Sequence, residues 1–76
     1  LNARQLELLD HSLRHKDYPY KPAEHANWHH ISLNTARADL LDLEHKGYLK
    51  KSYQGKAQVF HATTLFTKQF QNYAAK

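Results

Sequence analysis

One predicted β-hairpin near the end of this chain limits its possible folds more than any other feature. Residues 48–53 and 57–62 are predicted as two strands, and Gln54-Gly55-Lys56 between them has the composition of a tight turn. Alternation along the second strand directs Phe60 and Ala62 to one side and Val59 to the other. The remaining sequence has the periodicity of helices, so the fold has to combine several helices with a single hairpin.

The first helix is predicted to begin after Asn2. This residue is a suitable N-cap, and Gln5 three positions later completes a capping box. The apolar residues that follow at helical spacing are Leu6, Leu9 and Leu13. We expect the helix to run to about His15 and to end before Asp17-Tyr18-Pro19, because a residue that precedes proline is disfavoured in helical geometry.

A short extended segment and a second helix are predicted next. Tyr20 and Lys21 are extended and suit a short strand. Pro22 is favourable in the first turn of a helix. The second helix is therefore expected from Ala23 to about His29.

Two more helices are predicted, one on each side of the hairpin. Ser32 is a good N-cap for the third helix, and Gly47 stands where a helix needs a left-handed terminating residue. The inward positions of the third helix are Ala36, Leu40 and Leu43. Thr63 or Thr64 is expected to cap a last helix with an apolar stripe of Phe66, Phe70 and Tyr73.

This order of elements predicts the fold class. A helix, a short strand, two helices and a hairpin form a winged helix-turn-helix, mainly α with a small β-hairpin, and here a C-terminal helix is added. With 76 residues the chain is expected to be one domain, residues 1–76, with a single core. The residues predicted to share that core are Leu6, Leu9, Leu13, Ala36, Leu40, Leu43, Leu49 and Phe60.

Composition excludes several classes of protein. The chain has no cysteine, which excludes a disulfide scaffold, a thiolate zinc site and a cysteine nucleophile. It contains no apolar run of ~18 residues and no signal-peptide pattern, so we expect a cytoplasmic protein without membrane contacts. Because the sequence begins at Leu1, inside a helical pattern and without an initiator methionine, we expect it to be a piece of a longer protein.

The third helix and the residues after it resemble a known pattern. Ile31 to Leu40 is similar to the corresponding stretch of bacterial winged helices, including repressors of the deoxyribose-repressor type. The similarity continues at Leu43, Gly47, Leu49, Lys50 and Lys51.

The whole chain more closely resembles the domain that follows the catalytic domain in many proteins of the Fic (filamentation induced by cAMP) family. Leu1-Asn2-Ala3-Arg4-Gln5 resembles the usual beginning of that domain. Thr35-Ala36-Arg37 with Asp39-Leu40 resembles its third-helix signature. The resemblance implies a domain excised from the C-terminal end of a Fic-type parent, an enzyme that transfers AMP from ATP to protein hydroxyl groups.

The motifs that carry this chemistry in the family are missing from the chain. There is no His-Pro-Phe sequence, and Gly47 and Gly55 are eight residues apart, so no glycine-rich loop offers its amides to phosphates. We therefore expect the domain to have no catalytic residues and no cofactor, and to bind or position a partner.

The outward side of the third helix is the candidate binding surface. At 100° per residue it centres on Asn34, Ala38, Leu41 and His45, with Arg37 and Asp42 beside them. In a DNA-reading winged helix this side enters the major groove, where arginine reads guanine and asparagine reads adenine. However, Ala38 replaces a second arginine of the sugar-repressor pattern, Leu41 is apolar, and phosphate repels Asp42. We favour protein contact.

The hairpin carries the only candidate phosphate contacts. The net charge of the chain is +4, and residues 48–62 contain three lysines and no acidic residue. Lys50, Lys51 and Lys56 could neutralise phosphates while Gln54 at the tip reaches into a groove. Alternatively, they are solvated residues that keep an edge strand from pairing with other chains.

The histidines and the single tryptophan have structural and functional interpretations. Seven residues are histidine, and His25 and His29 stand at the i, i+4 spacing that can hold a divalent metal. No fourth ligand is evident, so we predict exposed histidines and no metal site. Trp28 is expected in the core rather than on a stacking surface.

Two functions from different classes remain. In the favoured one, the chain is an accessory module of a Fic-type AMP transferase that contacts the catalytic domain, a target protein or a second copy. In the alternative, it binds duplex DNA in the manner of a transcription regulator.

Overall fold

The computed structural model describes residues 1–65, which form three helices and one antiparallel hairpin. The elements in chain order are α1 (Ala3–Arg14), α2 (Pro22–His29), α3 (Leu33–His45), β1 (Leu49–Gln54) and β2 (Ala57–Ala62). Tyr20, between α1 and α2, pairs with Phe60 of β2. This is the arrangement of a small, mainly helical winged helix, and it confirms the predicted fold class. The predicted C-terminal stripe of Phe66, Phe70 and Tyr73 lies outside the described residues.

The predicted N-caps form as expected. The side-chain oxygen of Asn2 accepts a hydrogen bond from the amide of Gln5 at 2.8 Å, and the Gln5 side chain accepts one from the amide of Asn2 at 2.9 Å. The Ser32 hydroxyl accepts a hydrogen bond from the amide of Thr35 at 3.1 Å. These bonds satisfy amides that the first helical turn leaves without intrahelical partners.

Left-handed residues end or interrupt the helical segments. Gly47 follows α3 with φ +89°, as predicted, and His30 ends α2 with φ +54°. Asp17, between α1 and Pro19, has φ +65°. A Cβ added to Gly47 would lie 3.2 Å from Cδ2 of Leu65. No helix within residues 1–65 has the length and apolar character needed to cross a membrane.

The hairpin forms in the predicted region, but its first strand begins and ends one residue later than predicted. Gln54 pairs with Ala57 as the last residue of β1, so the turn consists of Gly55 and Lys56 rather than of three residues. Lys51 of β1 lies opposite Phe60 of β2, and the turn contains Gly55 at φ +62°. Phe60 also exchanges two backbone hydrogen bonds with Tyr20, of 2.7 and 2.8 Å. Phe60 faces the core, while Val59 alternates to the other side of the hairpin and is buried as well.

The core lies between the helices and one side of the hairpin. Leu40 and Leu43 of α3 are fully buried, which confirms the predicted register of that helix. They pack with Leu9 and Phe60. The other buried residues of this core are Leu8, Tyr20 and Leu49. Leu13 is partly buried and packs against the core.

The predicted inward side of α1 is wrong at Leu6, whose exposed fraction is 47%. The buried stripe is Gln5, Leu8, Leu9 and Ser12. Two of these residues are polar, but each has a hydrogen-bond partner. Ser12 Oγ donates to the backbone carbonyl of Leu9 at 2.6 Å, and Gln5 Nε2 donates to the backbone carbonyl of Asp39 at 3.1 Å. Paired in this way, polar side chains can be buried at little cost.

Candidate interaction surface of the third helix and wing

The residues predicted on the outward side of α3 are all exposed. We call Asn34, Arg37, Ala38, Leu41 and His45 the outward face of α3. Their common exposure follows from the burial of Ala36, Leu40 and Leu43 on the opposite side of the same helix. The structure therefore brings these five predicted residues together on one surface.

The polar side chains of the outward face are available for contacts. Within residues 1–65, Arg37 and Asn34 form no side-chain hydrogen bond and no ion pair. A guanidinium without an intramolecular partner can offer its donors to a carboxylate, a phosphate or a base edge.

Apolar side chains occupy much of the same surface. Leu41 has an exposed fraction of 37%, and Leu33, one turn before Arg37, has one of 45%. Leu33 was not among the predicted site residues. At 100° per residue it lies about 20° from the buried Leu40 and about 40° from Arg37, which places it at the border of the outward face. Its exposure, and not the helical period, identifies it.

Asp42 is held by two neighbours within the fold. Lys46 Nζ lies 2.7 Å and Gln5 Nε2 lies 3.0 Å from the same Oδ2 atom. The hydrogen bond from Lys46, followed by that from Gln5, lowers the pKa of Asp42. The negative charge expected to repel phosphate is therefore partly compensated by an adjacent ammonium group.

We call the hairpin of β1 and β2 the wing. Its predicted contact residues are all exposed, and they are Lys50, Lys51, Gln54 and Lys56. In the register of the hairpin, Lys51 lies opposite Phe60 and Lys50 lies opposite His61. Successive residues of a strand point to opposite sides. The two adjacent lysines therefore direct their side chains to different sides of the wing.

A buried carboxylate on the inward side of α3 joins the three helices. Asp39 of α3 accepts hydrogen bonds from Asn2 Nδ2 at 2.9 Å, from Arg4 Nε at 2.8 Å and Nη2 at 3.2 Å, and has His25 Nε2 of α2 at 3.0 Å. Residues from the beginning of the chain, from α2 and from α3 thus meet in one network, which fixes the orientation of α3.

The network determines the ionisation of Asp39. Burial alone would raise the pKa of this carboxyl, but hydrogen bonds from Arg4, Asn2 and His25 together lower it to about 2. Asp39 was not predicted to be buried. A signal was present, because positions 36, 39, 40 and 43 form a complete i, i+3, i+4, i+7 pattern in which Asp39 is the one polar member.

The expectation of exposed histidines on α2 is wrong. His25 is buried against Asp39, and its Nδ1 has no hydrogen-bond partner among the described residues. His29 is mostly covered, with Nδ1 3.8 Å from Glu7 Oε2, and burial lowers the pKa of its ring. In the described part of the chain, no three His, Cys, Asp or Glu side chains are grouped as metal ligands.

The expected core position of Trp28 is also wrong. Its exposed fraction is 46%, and its ring lies against those of His29 and His11, with centroids 4.5 and 5.9 Å away. The helix α2 that carries it is short, and His25 is its one buried residue. Trp28 therefore belongs to the surface between α1 and α2.

Comparison of the chain with known proteins gives no match to a protein family, to a curated protein or to a solved structure.

Proposed function

We propose that this chain is a non-catalytic winged-helix module that binds a protein through the outward face of α3. The observation that carries the proposal is the composition of that surface, on which Ala38 and Leu41 accompany a single free cation, Arg37, with the exposed Leu33 at its border. The centres of protein interfaces are enriched in arginine and apolar residues and depleted of other charges. A helix that reads bases instead presents several hydrogen-bonding groups to the groove.

The setting that we propose is a cytoplasmic Fic-type AMP transferase. The support for it is the resemblance of Leu1 to Gln5 and of Thr35 to Leu40 to the domain that follows the Fic catalytic domain. In such a parent the module recognises a target protein, contacts the catalytic domain or holds two copies together. It takes no part in the chemistry, because the chain contains neither the histidine motif nor a phosphate-binding loop.

The distribution of positive charge also favours a protein partner. Lys50 and Lys51 lie on different sides of the wing, which reduces the number of phosphates that the wing can neutralise on one duplex. Non-specific DNA affinity comes almost entirely from such contacts. Protein binding through α3 does not depend on them.

Duplex DNA is the second candidate. The observation in its favour is that Asn34 and Arg37 are both exposed near the beginning of α3 and both lack a partner among the described residues. These are the side-chain types that read adenine and guanine in the major groove.

A crosslinking experiment tests the proposed protein contact. A photoreactive benzoylphenylalanine is placed at Leu41 in the full-length parent, and at Tyr53 on the wing as an exposed control. We expect illumination in cells to yield one discrete protein adduct from position 41 and none from position 53. We expect Arg37→Ala, introduced beside the crosslinker, to weaken that adduct.

A DNA titration at two salt concentrations distinguishes the second candidate. The protein-binding proposal predicts a Kd weaker than ~10⁻⁴ M at physiological salt, with no effect of Arg37→Ala on sequence preference. If the wing lysines bind phosphates, each contact adds about −0.9 to the slope of log affinity against log salt, and Lys51→Ala removes about one unit. Tight, sequence-dependent binding that is lost in Arg37→Ala, without an adduct from position 41, would reject protein binding through α3.

A further inference from the structure

Four aromatic rings surround a cleft between α1, α2 and the segment that joins them. The cleft has a volume of ≈ 600 Å³, and its lining includes His11, Tyr18, Tyr20 and Trp28. This volume is in the range of small-molecule sites. None of these residues belongs to the outward face of α3 or to the wing lysines.

The ring of His11 stands at the centre of the aromatic group. The rings of Tyr18, Tyr20 and Trp28 are inclined to it by 77°, 77° and 62°, with centroids 4.9, 5.7 and 5.9 Å away. Tyr18 and Tyr20 are in contact with each other at 5.0 Å. The three rings therefore pack against His11 in inclined, edge-to-face contacts, and all four residues also line the cleft; we call these four residues the aromatic box.

The aromatic box is held in place by its surroundings. Tyr20 is fixed by its two backbone hydrogen bonds to Phe60, and its Oη lies 2.8 Å from Nδ1 of His11. The α1–α2 segment reverses direction at Asp17, whose φ is +65°. The walls are therefore arranged before any ligand arrives, which reduces the entropy lost on binding.

The walls of the box carry no charge at neutral pH. Burial, and then the nearby His15 and Arg14, lower the pKa of His11, so its imidazole is neutral. Burial raises the pKa of Tyr20, so its hydroxyl keeps its proton. Two charged residues, Glu24 and Lys21, lie at the margin of the cleft, and neither forms an ion pair within residues 1–65.

We propose that the aromatic box binds a quaternary ammonium group. The faces of neutral aromatic rings attract a cation through their quadrupoles, and quaternary ammonium ions suit such boxes because they have no N–H groups that require hydrogen bonds. The free carboxylate of Glu24 supplies the complementary charge, and Lys21 opposes it. The cleft is larger than a trimethylammonium head, which leaves room for the chain that bears it.

The single tryptophan of the chain provides a direct measurement, because Trp28 is a wall of the box. Its fluorescence is followed while choline is added, and in parallel while 3,3-dimethylbutanol, the uncharged analogue of the same shape, is added. We expect saturable quenching by choline, with a Kd of about 1 mM or tighter, and at least tenfold weaker binding of the alcohol. A trimethyllysine peptide and its unmethylated counterpart distinguish a free metabolite from a modified protein as the source of the cation.

Variants locate the site without unfolding the protein. Tyr18→Leu removes an exposed wall and should weaken binding about threefold or more, whereas Tyr53→Leu on the wing should leave it unchanged. Glu24→Gln should weaken binding about two- to fivefold, and Lys21→Gln should strengthen it by a similar factor. This pair of opposite effects is specific to a cationic ligand.

Several outcomes would overturn the proposal. Equal binding of choline and 3,3-dimethylbutanol would show an apolar cleft without preference for charge. Tighter binding of adenosine than of choline would show a stacking site for planar bases. No saturable quenching by choline or the trimethyllysine peptide up to ~10 mM would also reject the site. These results leave the proposed contact through α3 unaffected, because the two sites share no residue.

Discussion

Replacing Asp39 with asparagine should reveal how much of the stability depends on one buried charge. The substitution keeps the shape of the side chain but removes the charge that accepts hydrogen bonds from Asn2 and Arg4 and lies against His25. The pKa of Asp39 falls from 3.8 to about 2 on folding. At 1.36 kcal/mol per pKa unit, the ionised form contributes about 2 to 3 kcal/mol to the free energy of unfolding at pH 7.

The pH dependence of this contribution has a definite sign. Because folding lowers the pKa, the stabilisation is complete above the pKa of the unfolded chain, near 4, and is lost as the pH falls towards 2. We therefore expect Asp39→Asn to lower the free energy of unfolding by about 2 to 3 kcal/mol at pH 7, and by much less at pH 2. Urea unfolding followed by circular dichroism at several pH values measures this difference. Asp42 also has a lowered pKa, but it is present in both the wild type and the variant, so its contribution cancels in the difference between their free energies of unfolding.

Asp10→Asn is the matched control. Asp10 is paired with Arg14 at 2.8 Å, but both side chains are largely exposed to solvent. Exposed pairs contribute little, so this variant should change the free energy of unfolding by less than ~1 kcal/mol at any pH. If Asp39→Asn destabilised the protein equally at pH 7 and pH 2, its effect would come from packing, and the argument from charge would be refuted.

Two further predictions concern packing and backbone. Leu40→Ala should lower the free energy of unfolding by ~2 to 5 kcal/mol, because Leu40 is fully buried. Leu6→Ala should change it by less than ~0.5 kcal/mol, because Leu6 is exposed. Equal effects of the two substitutions in denaturant titrations would contradict the exposed position of Leu6 on α1. Gly47→Ala should lower the free energy of unfolding by ~1 to 2 kcal/mol, because the φ of residue 47 is +89° and the new Cβ would lie 3.2 Å from Cδ2 of Leu65. An unchanged midpoint of thermal unfolding would disprove this prediction.

Signals that act within a few residues were sufficient to predict the elements. The capping box of Asn2 and Gln5, the cap at Ser32 and the left-handed Gly47 each depend on near neighbours, and each was confirmed. The exposed side of α3 could be predicted for the same reason, because one clear apolar stripe fixes the opposite side of a helix.

The inward side of α1 and the aromatic box could not be predicted because they depend on distant contacts. Either Leu6 or Leu8 completes an apolar stripe with Leu9, and the choice is made by Gln5, which is buried because it donates to the carbonyl of Asp39 and to Asp42. Nothing near Gln5 in sequence shows this pairing. The box similarly depends on the turn at Asp17, where a non-glycine residue adopts a positive φ.

The two hydrogen bonds between Tyr20 and Phe60 make the stability of the wing depend on a segment that lies about forty residues earlier in the sequence. A two-stranded ribbon is at best marginally stable by itself, and joining residues so distant closes a long loop at an entropic cost. The segment around Tyr20 and the β1–β2 hairpin therefore form cooperatively. In a hydrogen-exchange experiment the amides of Tyr20 and Phe60 should open in one event and belong to a single folding unit, although two helices separate them in sequence.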